Sequence, residues 1–172
     1  RPVPWTELTA NLLYGSTINE EAWVIPNGNL LPDTTVFGTR QTKQYSATVG
    51  GTITFTRNLT LQIYGQLFLA KGHYDAFRRM ISPSSFANFD AAFRARLSAL
   101  GLTPDFNEQI FNANVVLRWE YLPGSTIYLV WTQARSGFDE DYFSSFTKNI
   151  TNSFKLPADN VFLVKITYWW SL

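Results

Sequence analysis

Asn112-Ala113-Asn114-Val115-Val116-Leu117-Arg118-Trp119-Glu120-Tyr121-Leu122 is the stretch that decides the fold. Read at period two, one side carries Ala113, Val115, Leu117, Trp119 and Tyr121, and the other Asn112, Asn114, Val116, Arg118 and Glu120. Successive side chains of a strand point to opposite faces, so this is a strand between two very different solvents. Five further stretches follow suit: Thr6 to Gly15, Gln44 to Thr56, Leu59 to Ala70, Thr126 to Arg135 and Asn160 to Leu172. The Thr126 stretch is the weakest, because Tyr128 and Val130 blur its polar side. Each pattern lasts about 10 to 13 residues, beyond the usual 5 or 6 of globular strands and matching the 9 to 11 that cross a bilayer at a tilt.

The spacers carry the second argument. Arg57-Asn58 and Pro123-Gly124 are tight turns, whereas Ser16 to Lys43, Lys71 to Ile110 and Ser136 to Asp159 are long gaps. Counted back from a periplasmic C-terminus, every tight turn falls on the periplasmic side and every long gap outside, the arrangement of outer-membrane barrels. The expected fold is therefore all-β: an antiparallel transmembrane β-barrel segment, residues 1 to 172 as one unit, with long extracellular loops. One loop holds a short helix, signalled by Phe86, Phe89, Phe93 and Leu97 at helical spacing, starting near Asn88 and ending near Gly101. Six strands do not close a membrane barrel, so about six strands of a larger one are expected, the rest coming from upstream sequence or other chains. No initiator Met or apolar leader precedes Arg1-Pro2-Val3-Pro4, which reads as an excerpt of something longer.

Composition agrees. Only 16% of residues are charged, against roughly 25% in soluble domains, and 16% are aromatic. A net charge of +1 supplies no field for nucleic acid, and with no Cys there is neither a disulfide framework nor a thiolate site. Mean hydropathy is -0.09, which suits a barrel whose lumen residues offset its lipid-facing ones.

On this reading Arg118, Glu120, Lys165, Gln62 and Gln66 face the lumen, the charges pairing as a structural network or, alternatively, setting selectivity. Phe55, Trp119, Tyr121, Tyr168 and Trp170 gather at the periplasmic ends as an aromatic girdle. Asp139-Glu140-Asp141 forms an acidic loop tip, a weak calcium or lipopolysaccharide-bridging candidate whose spacing is not that of an EF-hand. Arg78-Arg79, Arg94 and Arg96 are candidates for lipid A phosphates. His73 has no nucleophile elbow near it and reads as a loop histidine. Asn58 and Asn149 match the glycosylation sequon by chance. No motif calls for a cofactor, a metal or catalysis.

The blocks Asn112 to Tyr121, Pro123-Gly124-Ser125-Thr126 and Leu129-Val130-Trp131-Thr132-Gln133 resemble uncharacterised bacterial outer-membrane proteins. In that family a carbohydrate-binding-module-like N-terminal domain precedes a long barrel. Asn58 to Tyr64, Gly72 to Phe77 and Pro157 to Trp169 resemble it too. The resemblance implies the C-terminal part of such a barrel, in contact with outer-membrane lipid and lipopolysaccharide and handled by the barrel-assembly machinery. That machinery reads a terminal aromatic residue; here Tyr168-Trp169-Trp170-Ser171-Leu172 keeps the alternation but ends on Leu. The expected function is solute passage or surface anchoring, without enzymatic activity and with any glycan association implied only by the resemblance. Two alternatives stand beside it: a partner-binding subunit or anchor of a membrane assembly, and a soluble antiparallel β ligand-binding domain.

Overall fold

Alternating stretches can satisfy their backbone only by pairing edge to edge, and all of them do so in one sheet. The computed structural model describes residues 5–25, 35–99 and 103–170. Its elements are β1 (Thr6–Ile25), β2 (Val36–Thr56), β3 (Leu59–Ser82), β4 (Ser85–Asn88), α1 (Phe93–Ala99), β5 (Phe106–Leu122), β6 (Ser125–Asp139), α2 (Phe146–Ser153) and β7 (Asp159–Thr167). The six long strands lie in the order β1-β2-β3-β5-β6-β7, antiparallel throughout, with β4 folded back on the end of β3. The sheet is open: β1 and β7 are edges. The predicted Leu172 terminus and the predicted helix end at Gly101 lie outside the described residues.

The tight turns fall at Arg57-Asn58 and Pro123-Gly124, as the sequence predicts. Gly124 has φ of 75°, a left-handed value that suits glycine, and a Cβ there would sit 2.9 Å from Trp169 Cβ.

The strands run well past their predicted ends. At 24 residues, β3 is about twice the length a bilayer crossing requires. Among the described residues, the predicted gap from Lys71 to Ile110 holds the rest of β3, a second hairpin through β4, the helix Phe93–Ala99 and the start of β5. Phe86 lies on β4 rather than on that helix, and Phe89 precedes it, stacked on Phe93 with ring centroids 3.9 Å apart. Asp90 makes the turn that leads into the helix: its side chain accepts from Ala92 N–H at 3.0 Å and its carbonyl from Phe93 N–H. Bulges punctuate the upper strands, at Asn19 (φ 59°) and Ala76 (φ 48°), shifting register beside each.

The only buried hydrophobic cluster among the described residues lies at this upper end. Val36, Tyr74 and Phe77 pack there beneath Phe93 and Leu97 of α1. Phe106 packs against the same cluster, its ring lying over Gly72.

Candidate functional site

Residues directly opposite each other in an antiparallel pair share a face, so the register can be read as rows across the sheet. One row runs Ile53–Leu61–Leu117–Leu129–Val164 and the next Leu8–Gly51–Ile63–Val115–Trp131–Phe162. The apolar sets read from six separate stretches thus fall on one continuous face. Its side chains are not a core: Val49 is 50% exposed, Ile166 64% and Phe162 77%. Among the described residues no second sheet covers them.

The apolar face has slanting margins. Going up each strand past its apolar residues, the first polar residue on this face is Ser16 on β1, level with Lys43 on β2, then Lys71 on β3, Gln109 on β5, Gln133 on β6 and Asn160 on β7. Lys43 and Lys71 are directly paired, whereas Gln133 and Asn160 lie in the row of Val49, Gly65 and Ala113. The margin therefore slips six residues, from Lys43 to Val49 along β2, over the four steps from β2 to β7. That is about 20 Å along the strands and about 19 Å across them, a slope near 45°. The lower aromatic margin slips the same way: Trp119 shares a row with Ile127 and Ile166, while Tyr168 and Trp170 lie farther along the chain. Between the margins β3 keeps Leu59 to Leu69, ten residue steps, or roughly 23–25 Å once the slope is removed.

The opposite face holds the predicted lumen residues. Gln62 pairs with Val116 and Gln66 with Asn112, and Thr60, Arg118, Tyr128 and Lys165 form one row. Arg118 Nη2 donates to Glu120 Oε2 at 3.2 Å, Glu120 Oε1 accepts from Gly124 N–H at 3.1 Å, and Lys165 Nζ lies 6.0 Å from the Tyr128 ring centre. Arg118 and Glu120 thus form one half-exposed pair that also ties down the Pro123-Gly124 turn, while Lys165 is exposed and meets the Tyr128 ring. Farther up the same face, Glu7, Thr9, Thr52, Gln62, Tyr64 and Asn114 line an open hollow of about 350 Å³.

The predicted girdle residues are exposed, apart from the half-buried Tyr121. Phe55 is 51% and Trp170 76% open, Trp119 and Tyr121 meet edge to face at 6.2 Å, and Tyr121 Oη donates to the Thr167 carbonyl at 3.4 Å.

Above the band both faces are covered. α1 lies over the polar face, where Tyr74, Gly72 and Phe106 point. α2 lies over the apolar face: Phe146 meets Tyr45 at 4.8 Å, Phe154 meets Phe111 at 5.0 Å, and Asn149 exchanges two hydrogen bonds with Asn107, at 2.9 and 3.1 Å. The Asn149 sequon is consequently buried. Ser145 caps α2 by accepting from Lys148 N–H at 3.2 Å.

The acidic tip is built as a folded turn. Asp139 accepts from Asn107 and Gln109 side chains at 3.1 and 3.2 Å and from Asp141 N–H at 2.8 Å, and Asp141 pairs with Lys148 at 3.3 Å. Those contacts commit both oxygens of Asp139 and one of Asp141 in the calcium candidate Asp139, Glu140 and Asp141. Among the described residues no group of three or more acidic or histidine side chains is placed to hold a metal ion. Three of the four candidate arginines are paired as well: Arg78 with Glu21 at 2.6 Å, Arg94 with Asp105 at 3.1 Å and Arg96 with Asp90 at 3.1 Å.

His73 is not a loop residue but part of β3, with a partner the sequence did not reveal. Its Nδ1 lies 2.8 Å from Asp105 Oδ2, and Asp105 also accepts from Tyr74 N–H at 2.9 Å and from both Arg94 Nη atoms at 3.1 and 3.2 Å. Burial works to raise the Asp105 pKa, but Arg94, the Tyr74 amide and His73 outweigh it and hold the carboxyl below its ordinary range. The cluster fastens α1 and the start of β5 to β3; no nucleophile lies in it.

Residues 6–171 match a family described as a domain of unknown function (DUF5916), and the chain belongs to that family. No curated protein and no solved structure matches it.

Proposed function

We propose that this chain is a stretch of wall from a bacterial outer-membrane β-barrel, its apolar face in lipid and its polar face lining a passage for polar solutes. The observation that carries this reading is the slanting apolar band. A bilayer is a flat slab, so strands tilted within it must enter and leave at a level that slips from strand to strand. A slip near 45° and a height of roughly 23–25 Å match the strand tilt and apolar band of such barrels. Water offers no reason for a naked apolar face to have parallel, oblique edges.

Lipid also fixes what is missing. An unpaired strand edge in hydrocarbon costs several kcal/mol per backbone group, so β1 and β7 require further strands, from the rest of the protein or from other chains. The tight turns at one end and the long excursions at the other favour an outer-membrane orientation, with Arg57-Asn58 and Pro123-Gly124 in the periplasm. A second reading, an anchor for a surface assembly rather than a passage, draws on α1, which covers the upper end of the polar face.

The test is to purify the protein containing this segment and record it in planar bilayers. Dependence on detergent and heat-modifiable gel migration support the barrel. Stepwise conductance then supports a passage, and a silent but correctly folded barrel supports the anchor. A protein that stays soluble and monodisperse without detergent overturns both.

A further inference from the structure

Directly beneath α2, the apolar face is hollowed into a groove of about 250 Å³ with almost wholly apolar walls. Its walls are the row Tyr14–Tyr45–Leu69 and, one row lower, Ala47–Leu67, with Phe146 of α2 closing one side. One row above the groove, on the same face, Lys43 and Lys71 stand directly opposite each other. Like charges across a strand pair are destabilising. Burial and, after it, the neighbouring Lys43 hold the Lys71 ammonium below the ordinary lysine range, against the opposing pull of the Asp141 carboxylate. Lys71 Nζ donates to the carbonyls of Tyr142 and Ser144, each at 3.0 Å, which leaves one donor. Lys43 is exposed and makes no ion pair among the described residues. Two adjacent cations, neither of them in an ion pair among the described residues, are thus set over a greasy slot, at the upper margin of the apolar band.

From this juxtaposition we infer that the face binds one phosphorylated lipid, an acyl chain lying in the groove under Phe146 and the phosphate sitting between Lys43 and Lys71. The inference rests on the membrane reading and deepens it, because only at that margin would a headgroup meet both lysines while its chain runs down the face. The arginines that the sequence suggested for this task are mostly paired with carboxylates; the two lysines are not. An anion between them would relieve their repulsion, and α2 would then be the wall that holds the chain laterally.

The protein in neutral detergent would be equilibrated with dioleoyl phosphatidic acid or dioleoylglycerol, and bound lipid counted by native mass spectrometry, for the unmodified chain, Lys43→Gln and Ala47→Trp. Phosphatidic acid is expected to be retained in preference to the diacylglycerol. Lys43→Gln should weaken it about fivefold, the effect of one cation near a headgroup, and Ala47→Trp should weaken both lipids by filling the slot. Equal retention by Lys43→Gln overturns the inference. So does full competition by millimolar inorganic phosphate, which would mean that the chain contributes nothing. If Ala47→Trp fails to fold, the Lys43→Gln comparison and the phosphate competition still decide. Loss of detergent dependence and of heat-modifiable migration in the unmodified protein would count against the membrane reading itself. Intact heat-modifiability with unselective lipid retention would count against the lipid site alone.

Discussion

Val115→Arg is the substitution that separates lipid from water most sharply. Val115 lies on the apolar face between Ile63 and Trp131, four residues from Phe111 at the band's upper margin. At about 3.3 Å per residue and a slope near 45°, that places it about 9 Å inside a band roughly 23–25 Å tall, close to the midplane. An arginine on the lipid face near the midplane costs about 2–4 kcal/mol, and near the margins about 0–1. Val115→Arg should therefore lower the folding equilibrium in bilayers by roughly 30- to 1,000-fold. Asn114→Arg, one residue away on the polar face, and Trp119→Arg, at the lower margin, should each cost about 1 kcal/mol or less. The assay is reversible guanidinium unfolding in short-chain phosphatidylcholine vesicles, followed by tryptophan fluorescence and heat-modifiable migration. If the three variants cost the same, or if Val115→Arg is benign, the apolar face does not meet hydrocarbon and the reasoning fails.

Other expectations concern the upper end. Asp105→Asn removes the partner of Arg94 and His73; with both partly exposed, the cost should be about 1–3 kcal/mol rather than that of a fully buried pair, read as a shift in the unfolding midpoint. Because the Asp105 pKa is lowered by folding, its stabilisation is present above about pH 4 and is lost as pH falls through the folded value. An acid titration of Asp105→Asn should accordingly show a flatter limb than the unmodified protein. Gly72→Val places branched carbons where the Phe106 ring now lies, since even a Cβ would fall 2.2 Å from Phe106 Cε1. It should expose the α1 cluster to proteolysis while leaving the band's heat-modifiability intact. Ser145→Ala removes the α2 cap and should cost about 1 kcal/mol, seen as faster amide exchange over residues 146–153.

Where the two faces differ strongly, the sequence could be read residue by residue. Leu61, Leu117, Leu129 and Val164 each fall on the apolar side of a separate alternating stretch, and the register sets them in one row because period-two alternation admits no other shared face. The weak Thr126 stretch resolves in part: Tyr128 is a polar-face residue between Arg118 and Lys165, and Val130 lies on the same face between Val116 and Leu163. Above the band that contrast vanishes. Arg40, Gln41, Thr42 and Lys43 are polar on both sides, so nothing in their pattern distinguishes a strand from a loop, and β2 looked eight residues shorter than it is. The bulge at Ala76 breaks the period of β3 at the same level. α2 was missed because what it buries is polar, Asn149 and Ser153, leaving only the Ser145 cap as a local signal. The His73–Asp105 contact spans 32 positions and a whole hairpin, and no spacing rule reaches that far.

The most direct test uses the absence of cysteine from these 172 residues: with any cysteine elsewhere in the protein replaced, single cysteines placed one at a time from Asn112 to Tyr121 can each carry a spin label in the reconstituted protein. The account predicts that oxygen collision rates peak at Ala113, Val115, Leu117 and Trp119, whereas a water-soluble nickel chelate peaks at Asn112, Asn114, Arg118 and Glu120. Collision rates that rise and fall together along the strand, without the two-residue alternation, would contradict it.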